Sequence, residues 1–210
     1  NNNNNNNSEY VRAVAALDDE EKASVMEAYD DCCRNKMGSP DCIEFRLHPE
    51  MIIVLAVRIK LRCYEPGLSK TFIVKRPKLR EIFAAFFLDR IVQHWIYLRI
   101  NPLFEIRFVL MGNVSYNCRK GFGTLAARMR LYNDMHKHGF SFDLFLGKFD
   151  LFSCFMSTDK VVMWAKLEEF IPANYKGGDL ETLMYLLKIT VFHRPQDHCE
   201  RRGDLSLWER

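Results

Sequence analysis

Between Gly147 and Lys160 the chain reads GKFDLFSCFMSTDK. One carboxylate, Asp150, stands between Phe149 and Leu151, with Phe152 next along the chain. Burying an unpaired carboxylate costs roughly several kcal/mol. The segment therefore admits two arrangements. Either Asp150 faces water at the open end of a strand or caps a helix, or a cation such as a metal ion neutralises it there. Any account of the whole chain has to fit around that choice.

Composition narrows the field. The leading NNNNNNN has no side chains to build a core, and residues 1–7 are read as a tag or disordered tail. The whole chain is 48% hydrophobic and 13% aromatic, which excludes an intrinsically disordered protein. No apolar run approaches the roughly eighteen residues of a membrane span, and the longest clear one is Met51 to Val57. The N-terminal region is polar and then acidic, without the apolar stretch of a signal peptide. None of the 7 cysteines forms a Cys-x-x-Cys pair, and the adjacent Cys32 and Cys33 are poorly placed to share zinc. The expectation is a cytoplasmic protein with reduced thiols, no zinc and no membrane partner.

The net charge of +3 conceals an asymmetry. Asp18, Asp19, Glu20, Glu21, Glu27, Asp30 and Asp31 crowd one stretch against Lys22 alone. Arg58, Lys60, Arg62, Lys70, Lys75, Arg76, Lys78 and Arg80 crowd a second stretch against Glu65 alone. A basic stretch of that density suggests a polyanionic partner such as nucleic acid, and a solvated face is the equally weighted alternative.

Periodicity predicts an acidic amphipathic helix over Ser8–Arg34, broken by Gly38, Ser39 and Pro40, then a helix over Pro49–Arg62. Thr71–Val74 and Leu79–Phe83 read as the strands of a hairpin, with Arg76-Pro77-Lys78 as its bend. Helices follow from Asp89 to Arg99, from Pro102 onward, and from a Thr124 cap to about Lys137. Asp143–Leu151 is read as a strand, followed by helices from Asp159 to Phe170 and from Asp179 to Thr190. The final stretch, HRPQDHCERRGDLSLWER, carries no pattern of its own. The sum is an α+β fold.

The order of the parts has a chemical logic. A cationic hairpin can bind a triphosphate. Glycines let a backbone approach phosphate or a base. A carboxylate at a strand end can hold a divalent metal that activates a hydroxyl and steadies a leaving pyrophosphate.

Three stretches carry a resemblance: RPKLREIFAAFFLDRIVQHWIYLRINPLFEIRF, SYNCRKGFGTLAA and GKFDLFSCFMSTDK, in that order. Together they resemble the reverse transcriptases of bacterial retroelements, in the branch of diversity-generating retroelements and group II introns. The resemblance implies a right-hand polymerase: an N-terminal helical region over 8–65, fingers with a β-hairpin and helices over 66–140, and the first part of a ferredoxin-like palm over 141–210. It implies RNA-directed DNA synthesis by two-metal nucleotidyl transfer with Mg2+, an RNA template, a DNA or RNA primer, dNTP and a small basic accessory protein. Asp150 would be catalytic and would hold the metals together with the backbone carbonyl of Leu151. Lys75 and Arg80 would bind the triphosphate. Phe155 would stack under the sugar and exclude a 2′-hydroxyl. Arg119, Gly121 and Gly123 would lie near the template. The chain departs from the family pattern in having Ser153-Cys154 and Thr158, and it carries no Tyr-x-Asp-Asp motif; Tyr29-Asp30-Asp31 lacks the spacing. The expectation is thus a fragment that does not extend a primer alone and self-associates through exposed apolar surface. The alternative is a non-catalytic RNA-binding module descended from such an enzyme.

Overall fold

Helix formation in the acidic stretch begins with a reciprocal cap. The Asp18 carboxylate accepts from the backbone N–H of Glu21 at 2.7 Å, and the Glu21 carboxylate accepts from the N–H of Asp18 at 3.1 Å. This capping box starts α1, Asp19–Cys33, and its first-turn acids complement the helix dipole. The cap places a boundary inside the predicted Ser8–Arg34 helix. Helical backbone upstream, at residues 11, 12, 14 and 15, ends before it. A computed structural model describes residues 11, 12, 14–139, 145–151 and 154–203, with backbone alone for Phe155 and Met156.

The chain divides into two units, one comprising residues 1–101 and 160–210 and the other residues 102–159.

In the first unit α1 buries Val25, Ala28, Tyr29, Cys32 and Cys33, one stripe at helical spacing. A short helix not expected from the sequence, α2 (Pro40–Leu47), follows, with Ser39 accepting from the N–H of Cys42 and Pro40 in its first turn. It delivers Phe45, stacked on Tyr29 with ring centroids 5.0 Å apart and edge-on to Phe87. Helix α3, Glu50–Lys60, lies within the predicted Pro49–Arg62 span and buries Leu55, Ala56, Val57 and Ile59. At its end Lys60 donates to the Ala16 carbonyl and pairs with Glu21 at 2.7 Å, tying α3 back to the α1 cap.

The predicted hairpin forms from β1, Ser69–Val74, and β2, Arg80–Ala84, antiparallel with Lys70 opposite Ala84 and Val74 opposite Arg80. A third strand, β3 (Cys199–Arg201), lies parallel to β1 with Ser69 opposite Cys199, giving the order β2-β1-β3. This strand comes from the tail that shows no pattern in the sequence. It makes β1 central, which leaves Thr71 fully buried while its carbonyl accepts from the N–H of Arg202 at 2.8 Å.

The two helices expected on either side of Pro102 are one, α4, Phe87–Leu110. Pro102 lies inside this helix on its exposed side and contributes no N–H to the helical ladder. The part in the first unit buries Phe87, Asp89, Ile91, Val92, Trp95 and Ile96. Near the other end of this unit's chain, α7 (Lys160–Asn174) and α8 (Leu180–Phe192) pack together, and α8 buries Leu183, Leu186, Leu187 and Val191 against the core.

The second unit contains the end of α4, helix α5 (Thr124–Lys137) and a single turn of helix, α6 (Cys154–Ser157). Helix α4 ends in a Schellman arrangement. The N–H of Asn113 reaches the Phe108 carbonyl and that of Gly112 the Val109 carbonyl, with Gly112 at φ +78°. The cap position of α5 is Gly123, and Thr124 is the first helical residue rather than the cap. Among the described residues the fold is thus mixed α+β, with helices predominating and a small three-stranded sheet.

The capping box gives a direct check. Asp18→Ala removes one side of it and is expected to lower the unfolding free energy by about 1 kcal/mol. Urea denaturation at neutral pH, followed by far-UV circular dichroism, measures this.

Candidate functional site

The hairpin brings two of the expected site residues together. Arg80 sits opposite Val74 in the last register pair, and Lys75 is the next residue after Val74. Both are exposed, as are Arg76, Lys78 and the intervening turn. Four cations stand at one bend in the first unit, with no acid between residues 71 and 80.

In the second unit the loop before α5 is organised by Arg119. Its guanidinium forms a fork with Glu105, with contacts of 2.7, 3.0 and 3.1 Å. It also donates to the Ser115 carbonyl at 2.8 Å and to Asn113 Oδ1 at 3.0 Å. Phe122 stacks on it at 3.9 Å and Phe108 at 4.8 Å. The Arg119 side chain is 2% exposed. The pairing holds the Glu105 carboxyl below, and the Arg119 guanidinium above, their ordinary pKa values. Arg119 therefore binds its own loop, and its nitrogens are committed to protein acceptors instead of facing a template. It joins the first of the three motif stretches, through Glu105, to the second. Of the loop's glycines, Gly121 is exposed at φ +79° and Gly123 is half-buried at the start of α5.

The opening question about Asp150 has a plain structural answer. Residues 145–151 carry no strand hydrogen-bond ladder, unlike the predicted Asp143–Leu151 strand; residues 143 and 144 lie outside the described residues. A strand needs a neighbour for its N–H and C=O groups, and among the described residues none pairs with this segment. Asp150 is exposed, Leu151 is 72% exposed and Phe149 is 95% exposed. The carboxylate pays no burial penalty and needs no counter-ion. An exposed carboxylate and an adjacent carbonyl are hard oxygen donors of the kind magnesium takes, but they supply only part of an octahedral shell. Among the described residues no group of three or more His, Cys, Asp or Glu side chains is placed to hold a metal. Phe155 lies in α6, and its side chain is outside what is described.

Two further polar centres emerge that sequence reasoning did not single out. Asp89, 5% exposed, accepts from the Tyr64 hydroxyl and from the N–H of Gly67 at 3.0 and 3.1 Å. Burial, then this carboxylate, pushes the Tyr64 phenol pKa up. Arg99 stacks over Trp95 at 3.4 Å, pairs with Asp179 at 2.6 Å and donates to Ser24, which also accepts from the Trp95 indole. Asp179 stands at the α8 cap, yet its carboxylate accepts from Arg99 and from the Tyr175 hydroxyl at 2.5 Å and makes no cap bond. Partial burial alone would raise the Asp179 pKa, but the Tyr175 and Arg99 hydrogen bonds outweigh it and hold the carboxyl low. His94 is engaged as a hydrogen-bonded histidine, with Nδ1 2.7 Å from Asp31. No helix among the described residues is long and apolar enough to cross a membrane.

No protein-family model matches the chain, and no curated protein matches it.

The depressed Asp179 pKa gives a signed expectation. The Asp179 contribution to stability is fully present above the unfolded carboxyl pKa of about 3.9 and is lost as pH falls through the lower folded value. Asp179→Asn should be less stable than the parent at pH 6, and the gap should close below about pH 4. Urea midpoints of both proteins from pH 6 to pH 2.5 measure it; a gap independent of pH would contradict the ion-pair account.

Proposed function

We propose that the chain supplies the fingers and the first part of the palm of an RNA-directed DNA polymerase of the bacterial retroelement kind. The observation that carries this reading is the hairpin. Strand β2, which lies in the first stretch that carries the resemblance, pairs with β1, and the exposed Lys75 and Arg80 stand at the two ends of their bend. Exposed cations close together on a hairpin bend suit a nucleotide triphosphate or a nucleic-acid backbone. The ordered motif stretches support the same reading, since Glu105 of the first clamps Arg119 of the second.

The proposed division of labour follows from each residue's chemistry. Lys75 and Arg80 neutralise phosphate. Gly121 and Gly123 leave the loop backbone open to close approach by a template strand, while Arg119 keeps that loop in shape. Asp150, with the Leu151 carbonyl, offers oxygen ligands to Mg2+, which when bound supplies charge neutralisation at the reacting phosphate. Phe155 limits the sugar to one without a 2′-hydroxyl. The partners are an RNA template, its primer, dNTP and a small basic accessory protein, in the cytoplasm. Exposed Phe145, Leu146, Phe149 and Leu151 in the second unit are proposed to drive self-association of the isolated chain.

Two measurements test the reading. Binding of an RNA–DNA hybrid should weaken steeply with salt. Lys78→Ala and Arg80→Ala should each flatten the plot of log K against log salt by about one unit while weakening all sequences alike. Unchanged slopes would remove the hairpin from the interface. In the product of the intact gene, Asp150→Asn should cut magnesium-dependent cDNA synthesis by on the order of a hundredfold or more, with hybrid binding retained. Hybrid binding without any synthesis by the product of the intact gene would favour the non-catalytic RNA-binding module.

A further inference from the structure

The turn between α1 and α2 brings two buried thiols face to face. Cys33, in the last turn of α1, and Cys42, in the first turn of α2, are both fully buried. Their Sγ atoms lie 2.8 Å apart, about 0.8 Å more than a disulfide bond. All seven cysteines are free thiols. The surroundings hold the pair in register from both sides. Tyr29, one turn before Cys33, donates its hydroxyl to the Cys42 carbonyl at 3.2 Å, and Ser39 accepts from the Cys42 N–H. The neighbouring Asp41 reaches Arg90 of α4 at 2.5 Å, across a cleft of about 620 Å³ lined also by Phe45, Lys70 and Phe86. A link at Cys42 would therefore fasten one wall of that cleft.

We propose that Cys33 and Cys42 are a redox clasp, closing to a disulfide that ties the end of α1 to the start of α2. The oxidant is a small-molecule disulfide. One cysteine thiolate attacks it, forms a mixed disulfide and expels one small thiolate, which takes up a proton. The second cysteine thiolate attacks the protein sulfur of the mixed disulfide, forms the Cys33–Cys42 bond and releases the second small thiol. Two electrons and two protons leave the pair, and the small disulfide becomes two thiols.

Burial, then the contact with Cys42, pushes the Cys33 thiol pKa up to about 12. The thiolate is scarce and the pair is shielded, so closure is slow in the folded protein and proceeds when α2 lifts. Cys63, Cys118 and Cys154 are exposed and lack this protection.

The test uses the full chain. Exposed thiols are first blocked with iodoacetamide under native conditions, and the protein is then equilibrated with oxidised glutathione. Trypsin cleaves after Arg34 and Lys36, so the clasp joins the peptide of residues 23–34 to that of residues 37–46. The expected result is this linked pair, two hydrogens lighter than the free peptides together, retained in Cys32→Ser and lost in Cys33→Ser. Absence of the link at glutathione ratios that oxidise a model dithiol overturns the proposal, as does its persistence in Cys33→Ser. A readout on the unmutated chain guards against a variant that fails to fold: the oxidised protein should unfold at higher urea than the reduced one, and equal midpoints count against the clasp.

Discussion

The architecture turns on a carboxylate that has to be satisfied away from water. Asp89 lies in the first turn of α4, where the helix dipole favours an anion, but its burial demands hydrogen-bond donors as well. Tyr64 and the Gly67 backbone supply them. That requirement fixes the turn between α3 and β1 against the helix. Tyr185 of α8 then donates to the Tyr64 carbonyl at 3.1 Å, so the same turn also holds α8. The central strand starts two residues after Gly67, so the position of the whole hairpin follows from how one buried charge is paired. Leaving such a group with its donors removed is among the costliest single changes a fold can suffer.

The second unit solves a related problem differently. Helix α5 buries none of its residues, and Leu125, Met129 and Tyr132 stay more than half exposed. With little apolar burial available, order in the adjoining loop rests on Arg119, whose planar guanidinium can hydrogen-bond in its plane and stack on both faces at once. Glu105, the Ser115 carbonyl and Asn113 accept its N–H groups, while the Phe108 and Phe122 rings lie 4.8 and 3.9 Å from its central carbon. A lysine has neither the fork nor the faces to replace it. The left-handed residues Asn113, Cys118 and Gly121 bracket this clamp and let the loop turn tightly around it.

Where a local rule sufficed, the sequence was legible. The hairpin was, because two apolar runs flank a proline bend, and α3 was, because its apolar spacing is helical. The α1 start was written in Asp18-x-x-Glu21, and α2 in Ser39-Pro40, both local signals that the longer acidic and glycine-bearing patterns obscured. What stayed hidden depends on distant partners. Strand β3 exists only because Ser69 and Thr71 offer it an edge some 130 residues earlier in the chain. Arg119 next to two glycines reads as a surface cation, and its burial needs Glu105 from a different element. The Asp179 cap position was readable, whereas its diversion to Arg99 and Tyr175 was not. Conversely, an apolar run such as 145–151 has the composition of a strand but no ladder partner among the described residues, and composition alone does not supply one.

The exposure of Asp150 changes what the polymerase reading requires. A carboxylate in a dry strand would have its ionic state set by the protein and would demand a cation at all times. A carboxylate in water makes no such demand, so on the polymerase reading a metal would be recruited with the nucleotide rather than held beforehand. Magnesium dehydrates reluctantly and completes its shell with water and phosphate oxygens. A single exposed carboxylate with its neighbouring backbone carbonyl is a weak resident site and a suitable partial one. On the polymerase reading, the energetic weight of phosphate binding would therefore fall on the cations of the hairpin, where four positive side chains stand at one bend.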